Sequence, residues 1–350
     1  MDRISEQRLR RLLDSVGHNS HSHLYELGDK QWFWETGHEA LIVYRTAGKR
    51  RIVLGDPIGT PEAVRRVLGQ FMDDCRRTRH VPVFYQAKAE FLPYYKEMGL
   101  LCAKFGEEAQ VDLPDFHLNG KKWLKLRTRI NKFTRSGYTL KVHYPPYTAS
   151  FLSRLQAISD DWLDGRKEKS FSVGSFSPEY VSRFPVAVLT GPDGTEEAFV
   201  TLAGDHRPHK ASRGSDARRQ LTVDLMRYTK ACPHGTMDFL FLSLFLWAKE
   251  QGYGVCSLGM APLAGADELL LARLFYKYGC KLYNFRGLYE YKNKFAPRWE
   301  SVYLAYPPAS LPVTIASLAY IIHRPYAGKA AEQPALPGRY EENPILRKRA

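Results

Sequence analysis

The sequence predicts an α/β (α+β) chain built as two tandem copies of one unit, each with a mixed central sheet. Three observations predict it. The order hairpin, strand, helix, strand, helix and closing strand occurs twice along the chain. Short strings recur as well: "YKEMG" at 95–99 is followed by Phe105-Gly106, and "YKYG" at 276–279 by Phe285-Arg286-Gly287, an offset of about 180 residues. Finally, 350 residues that are 44% hydrophobic and 13% aromatic exceed one ordinary domain and suffice for two cores. The expected boundaries are 1–118 for the first unit and 119–325 for the second, with a Pro-, Gly- and charge-rich tail at 326–350 expected to be disordered.

The elements follow in order. "MDRISEQRLRRLLDSVG" is charged and helix-like, with no apolar stretch of the kind a signal peptide needs. Residues 31–56 alternate apolar and polar around "TAGKRR", a hairpin signal. "TPEAVRRVLGQFMDDCRR" begins a helix with Thr60 as N-cap and Pro61 in its first turn. "VPVFYQA" reads as a buried strand, "EFLPYYKEMG" as a helix ending at Gly99, and two strands are expected up to Asp112. In the second half "PVAVLT" and "EAFVTLAG" form a hairpin around Pro192–Gly194, and "LTVDLMRY" is a strand. "DFLFLSLFLWAKEQG" is a helix apolar on all sides, hence central. "GVCSLGM" is a strand, "ELLLARLFYKYG" a helix, and strands follow. The uncharged run 301–322 is broken by Pro307, Pro308 and Pro312, leaving about ten residues before His323, too few for the roughly 20 that cross a bilayer. That segment is either an interfacial helix near Leu311–Arg324 or a helix docked on the core.

Folding does not require the net charge of +14, which favours a polyanionic partner such as nucleic acid or an anionic membrane surface. The five cysteines are scattered without a CxxC pair, so they are read as reduced thiols of a cytosolic protein. His18, His21 and His23 cluster without evident partners, and neither a metal spacing nor a P-loop or GxSxG motif occurs.

This element order is that of the GCN5-like N-acyltransferase (GNAT) fold. There, donor phosphates rest on the N-terminus of the helix after a splayed strand, where free N–H groups and the dipole favour anions. Here "YTKACPHGTMD" lacks the spaced glycines of acetyl-CoA enzymes, and Asp238 stands at the phosphate position, so acetyl-CoA is disfavoured. Asp238 is otherwise expected to cap that helix. Asp224 and Arg227 lie three apart on one strand and would share a site only at a bulge or strand end. They read either as a structural pair or as a carboxylate for a substrate amine beside a cation for an anion. "SDDWLDGRKEKSFSVGSF" places Asp160 at a helix end and Arg166 in a following loop that could line a cleft. "KKWLKLRTRINKFTR" carries Lys121, Lys122, Lys125, Arg127, Arg129, Lys132 and Arg135 and no acid, an electrostatic surface for tRNA or lipid phosphates or simply a solvated face. "FRGLYEYKNKFAPRWE" (285–300) alternates cations with aromatic rings and ends on Glu300. It reads as a phosphate- and ring-binding segment or as an edge strand with a basic rim.

Five of these strings in this order, "SDDWLDGRKEKSFSVGSF", "VDLMRY", "MDFLFLSLFLWAKEQGY", "LGMAPL" and "FRGLYEYKNKFAPRWE", resemble the cytosolic catalytic domain of the phosphatidylglycerol lysyltransferase (MprF) family. The resemblance covers roughly residues 20–325. It implies transfer of an aminoacyl group, usually lysyl, from aminoacyl-tRNA to phosphatidylglycerol at the cytoplasmic face of a bacterial membrane. Resistance to cationic peptides and an N-terminal transmembrane flippase are also implied; the flippase is absent from this chain, which looks like an excised soluble module. No cofactor is implied. Under the resemblance Asp224 would hold the α-amino group with Arg227 orienting it, and Glu300 would take the glycerol proton or bind the lysyl ammonium. Arg286, Lys292 and Lys294 would grip phosphate, Tyr291 and Trp299 would give stacking or wall contacts, and Asp160, Arg166, Asp238 and Met260 would complete the substrate site. The 205–220 loop is longer and more basic than the family suggests, and Val302 stands where a basic residue is expected. A Fem-type peptidoglycan aminoacyltransferase, an acyl-CoA N-acyltransferase and a non-catalytic RNA- or membrane-binding module are the competing expectations.

Overall fold

The computed structural model describes residues 3–204, 219–265 and 285–324 of the chain. Helix α1 (Arg3–Val16) precedes strands β1 (Gln31–Trp34), β2 (Ala40–Ala47), β3 (Arg50–Leu54) and β4 (Ile58–Gly59). Helix α2 (Pro61–Arg77), β5 (Val81–Ala87), α3 (Leu92–Glu97) and β6 (Leu101–Asp112) complete the first half. The second half runs α4 (Leu124–Arg135), β7 (Thr139–His143), α5 (Ala149–Leu163), α6 (Pro178–Val181), β8 (Val186–Thr190), β9 (Glu196–Gly204) and β10 (Gln220–Tyr228). It continues with α7 (Thr236–Glu250), β11 (Val255–Pro262), α8 (Phe285–Asn293), β12 (Arg298–Tyr306) and α9 (Leu311–His323).

Local sequence explains the boundaries. Thr60 caps α2 by accepting from the Ala63 N–H at 3.4 Å, with Pro61 starting the helix where no N–H is needed. "TAGKRR" turns β2 into β3. The region up to Asp112 is one strand of 12 residues rather than the expected two. Residues 285–300 also differ from the edge-strand expectation: α8 occupies most of them, and β12 then runs through the sheet interior between β5 and β6. Val302, at the position expected to be basic, is fully buried there, so a cation would be costly. The helix expected over "ELLLARLFYKYG", the 205–218 loop and the tail from Pro325 lie outside the described residues.

The strands join in a single twelve-stranded sheet of order β1-β2-β3-β5-β12-β6-β11-β10-β9-β8-β7, with β4 added on β2. Two pairings, β3 with β5 and β10 with β11, are parallel, and the others are antiparallel. Each parallel pair is joined through a helix, α2 in one half and α7 in the other, which is the duplicated mixed-sheet unit the sequence predicts. The halves exchange closing strands: β6 of the first pairs with β11 of the second, and β12 of the second enters beside β5 of the first. Alternate residues of β2 serve opposite faces, Leu41 and Val43 packing with α1 and α9, Ile42 and Tyr44 with α2. Helix α7 packs against α4, and Phe245 is enclosed by Phe116, Phe241 and Phe295. Phe245→Ala should cost about 3–5 kcal/mol of stability, read from the midpoint of urea unfolding, because such a cavity collapses only in part.

Candidate functional site where two strands part

The site begins with a break in pairing. Strands β10 and β11 are parallel partners only over Gln220–Thr222 and Val255–Ser257. Beyond that point β10 follows β9 and β11 follows β6. A bulge lies on each strand just past the parting. On β10, Asp224 and Leu225 face one residue of β9, and on β11, Leu258 and Gly259 face one residue of β6. Thr201 fills the first bulge, its hydroxyl accepting from the Leu225 N–H at 2.9 Å and donating to Asp224 Oδ2 at 3.2 Å. Gly259 (φ +74°) makes the second, its N–H donating to Ser257 Oγ at 3.1 Å.

Asp224 is buried on one wall. His23 Nε2 lies 3.2 Å from its Oδ1, and the Tyr180 hydroxyl donates to its Oδ2 at 2.8 Å. Burial pushes the carboxyl upward, but His23, Tyr180 and Thr201 outweigh it and hold the group below the usual aspartate value. Gly174 lies against this carboxylate; a Cβ there would stand 2.4 Å from Oδ1. Asp224 and Arg227 do not pair. Arg227 donates to Glu168 at 2.9 Å and to the Met226 carbonyl, and its guanidinium lies 4.0 Å from the centre of the Trp162 ring. Glu168 also accepts from the Phe176 N–H, so Arg227 braces the loop over Asp224.

The other wall is a row of side chains directly opposite one another on three strands: Met260 on β11, Glu108 on β6 and Glu300 on β12. Adjacent carboxylates repel, and Lys88 Nζ bridges them at 2.8 Å to Glu108 and 3.1 Å to Glu300. Glu108 also accepts from Ser257 at 2.6 Å and Ser20 at 3.1 Å. Burial raises its carboxyl, yet Lys88, His21 and Ser257 hold it at about 2. Glu300 accepts from Gln110 and Arg298 and is one-third exposed (32%). Lys292 enters from α8, donating to the carbonyls of Gly259 at 3.0 Å and Met260 at 2.9 Å. Burial draws its amine down to about 7, with only Glu108 pulling the other way.

Segment Ser20–His23 joins the walls, with Ser20 on Glu108 and His23 on Asp224, no more than about 11 Å of chain apart. The histidines read as partnerless thus have partners: His21 Nε2 lies 2.5 Å from Gln86 Oε1, and burial lowers its pKa to about 4.

A second cluster sits at the start of α7. Asp238 caps nothing: Gly235 occupies the N-cap, and Asp238 pairs instead with Arg129 of α4 and with Lys294 at 3.4 Å. Two cations thus overcompensate the carboxylate at the position where it would repel phosphate. The half-buried Tyr291 ring packs on Phe241 and Phe295, with Lys294 above it at 4.7 Å. Trp299 stacks on Tyr289 at 4.4 Å. Lys121 and Lys122 in the turn before α4 and Lys125, Lys132 and Arg135 on it are exposed, whereas Arg127 donates to the Leu118 and Gly120 carbonyls. Asp160 is exposed and its carboxylate accepts from Gln156 of its own helix, and Arg166 folds onto Trp162 and its carbonyl. Arg286 belongs to α8, and its side chain lies outside the described residues. The structure therefore gathers Asp224, Met260, Lys292 and Glu300 at the parting, sets Asp238, Lys294 and Arg129 at the helix start, and leaves Asp160 apart. The residues that sequence reasoning missed are His23, Lys88, Glu108, Tyr180 and Glu168; the strand pattern of β6, with charges among apolar residues, was the available signal for Glu108. No group of described His, Cys, Asp or Glu residues could hold a metal ion.

A family model described as phosphatidylglycerol lysyltransferase, C-terminal, matches residues 10–306. The chain belongs to that family. Among curated relatives, the phosphatidylglycerol lysyltransferase of Bacillus subtilis is 36% identical over 312 residues, covering 87% of this chain and 35% of the relative. That of Staphylococcus aureus is 35% identical over 303 residues, covering 84% and 35%. The chain thus spans about a third of the length of these relatives. The solved structure of L-PGS from Bacillus licheniformis aligns with a TM-score of 0.79 at 38% identity, covering 91% of this chain and 97% of that one. FemX aligns with a TM-score of 0.55 at 7% identity, over 91% and 99%, a likeness of fold alone. The family resemblance carried by the five sequence strings is therefore confirmed.

The Lys292 amine gives a pH test. Between about 7 and 10.5 the unfolded chain keeps a proton that the folded chain has released, so the group makes stability rise with pH across that window. Lys292→Met should shrink this rise, measured by urea unfolding at both ends of the window; parallel curves for the two proteins would contradict a buried, depressed amine.

Proposed function

We propose that this chain transfers an aminoacyl group, lysyl in the first instance, from aminoacyl-tRNA to the glycerol hydroxyl of phosphatidylglycerol, working at the cytoplasmic face of a bacterial membrane within a longer protein that supplies a transmembrane flippase. The observation that carries this is the pair of walls at the parting of β10 and β11: a buried ionised Asp224 on one, and Glu300 with Lys292 on the other. The activity named for the family's relatives needs such a division between an anion for an amine and groups that move protons. The boundaries 1–118 and 119–325 remain the proposed division of the chain, with the exchanged strands β6 and β12 crossing it.

The reaction exchanges one ester for another, so no ATP is required. Among the described residues Asp224 Oδ1 pairs with His23 alone, and a second lone pair of that oxygen would accept from the α-ammonium of the aminoacyl group. Glu300 takes the proton of the glycerol hydroxyl as its oxygen bonds to the carbonyl carbon. Lys292, titrating near neutral pH, returns a proton to the ribose oxygen as the old carbon–oxygen bond breaks. Holding both hydroxyls against one carbonyl contributes about 7–11 kcal/mol, and each donor to the oxyanion about 3–4 kcal/mol. The tRNA acceptor end would lie along the cations of α4, Arg129 and Lys294, where the start of α7 adds its dipole.

Incubating the chain with radiolabelled lysyl-tRNA and phosphatidylglycerol vesicles should move label into the organic phase, and RNase should abolish it. Absence of transfer from any aminoacyl-tRNA, or transfer to a muropeptide precursor instead, would refute the proposal. Asp224→Asn keeps the side-chain shape and should lower kcat/KM about 10–100-fold through loss of one charge-assisted bond, with the melting temperature measured alongside. Lys125→Gln with Lys132→Gln should raise KM for aminoacyl-tRNA with kcat unchanged and reduce the slope of log affinity against log salt by about two.

A further inference from the structure

Helix α9 has an uncharged outer face. Leu311, Ile315, Leu318 and Ile321 are buried with the side chains of β2 and β3. On the opposite side Val313 and Tyr320 are about half exposed (51% and 52%), and Ala316 and Ala319 are exposed between them. Spacings of three and four residues put these on one stripe. No acid occurs anywhere from Leu311 to Arg324. Cations border the stripe: Arg324 ends the helix, and Lys169 is near enough to His323 to add to the burial that lowers the pKa of that ring. Exposed Arg10 and Arg11 lie on α1, whose inner face shares a core with α9.

The same helix end is tied to the site. The Ser170 N–H donates to the Ile322 carbonyl at 3.0 Å, and its Oγ lies 2.8 Å from the Ile321 carbonyl and 2.9 Å from that of Arg324. Arg45 donates to both the Ile321 carbonyl and Ser170 Oγ. Four residues further, Gly174 touches the Asp224 carboxylate. The end of α9 therefore stands within about 14 Å of chain from Asp224.

We propose that the outer face of α9, with Arg324 and Lys169 at its end, docks on an anionic lipid bilayer. An apolar stripe bordered by cations and free of acids matches acyl chains beneath anionic headgroups; a zwitterionic surface would meet only the stripe. No described helix is long and apolar enough to cross a membrane, so this helix lies on the surface. The inference deepens the proposed transfer by naming the surface through which its lipid is approached, while docking itself does not depend on that reaction.

The test is flotation of the 350-residue chain with vesicles of mixed phosphatidylglycerol and phosphatidylcholine, and with phosphatidylcholine alone. The wild-type chain should float with the anionic vesicles, less so as salt rises, and about tenfold less with the zwitterionic ones. Val313→Glu with Ala316→Glu should weaken anionic-vesicle binding about tenfold. Arg76→Glu, exposed on α2 across the sheet and equal in charge change, should leave it unaltered. Melting curves check folding, and the milder Arg324→Gln, at the end of the stripe against Tyr320, should also reduce flotation. Flotation unchanged by the α9 glutamates, or equal on both vesicle types, would overturn the proposal, as would a stripe covered by protein instead. Lysyl transfer to detergent-dispersed phosphatidylglycerol separates the two ideas: a docking variant should retain it, whereas its absence from the wild-type chain counts against the reaction and leaves the flotation result standing.

Discussion

The site depends on two strands that begin as partners and then separate. Strands β10 and β11 are paired over three residues each, and each then bulges toward its outer neighbour. A bulge leaves one residue outside the ladder and re-aims its side chain. Here that geometry turns Asp224 inward on β10 and presents the Gly259 and Met260 carbonyls to Lys292 on β11. Neither bulge stands unsupported, since Thr201 closes one and Ser257 the other. The hydroxyl that closes each bulge also donates to the acid beside it, so backbone distortion and carboxylate position are set by the same atoms.

Charge is handled by local neutralisation. Glu108 and Glu300 would repel across adjacent strands, and one ammonium, from Lys88, spans both. Asp238 would repel phosphate at a helix start, and Arg129 and Lys294 reverse the sign of that spot. Asp224 is treated differently: a histidine and two hydroxyls support it, and no described lysine or arginine forms an ion pair with it. With no lysine or arginine paired to Asp224 among the described residues, an incoming ammonium has no such cation to displace.

Much of this was legible in the sequence, for definite reasons. Helix α2 carries its own cap and proline, α7 is apolar on all sides, and β10 has the strand pattern, so local signals identify each. The register of β12 between β5 and β6 was not legible, because nothing local in "RWESVYLAY" states which strands flank it. For the same reason the roles of Glu108, Lys88 and His23 were not legible: they come from partners 20 to more than 200 positions away. Asp224, Lys292 and Glu300 were visible as charged residues in apolar or aromatic runs. Their partners were misjudged, since Arg227 braces Glu168 and Lys292 holds carbonyls.

The exchanged strand has a consequence for biosynthesis. Until the ribosome has released residues up to Tyr306, β5 and β6 lack the neighbour that separates them, and each presents a bare edge. The row that pairs Glu108 of β6 with Glu300 of β12 is complete only when β12 arrives. The nascent first half therefore lacks the strand between β5 and β6 until late in synthesis, and the emerging polypeptide carries an unfinished seam open to wrong pairing.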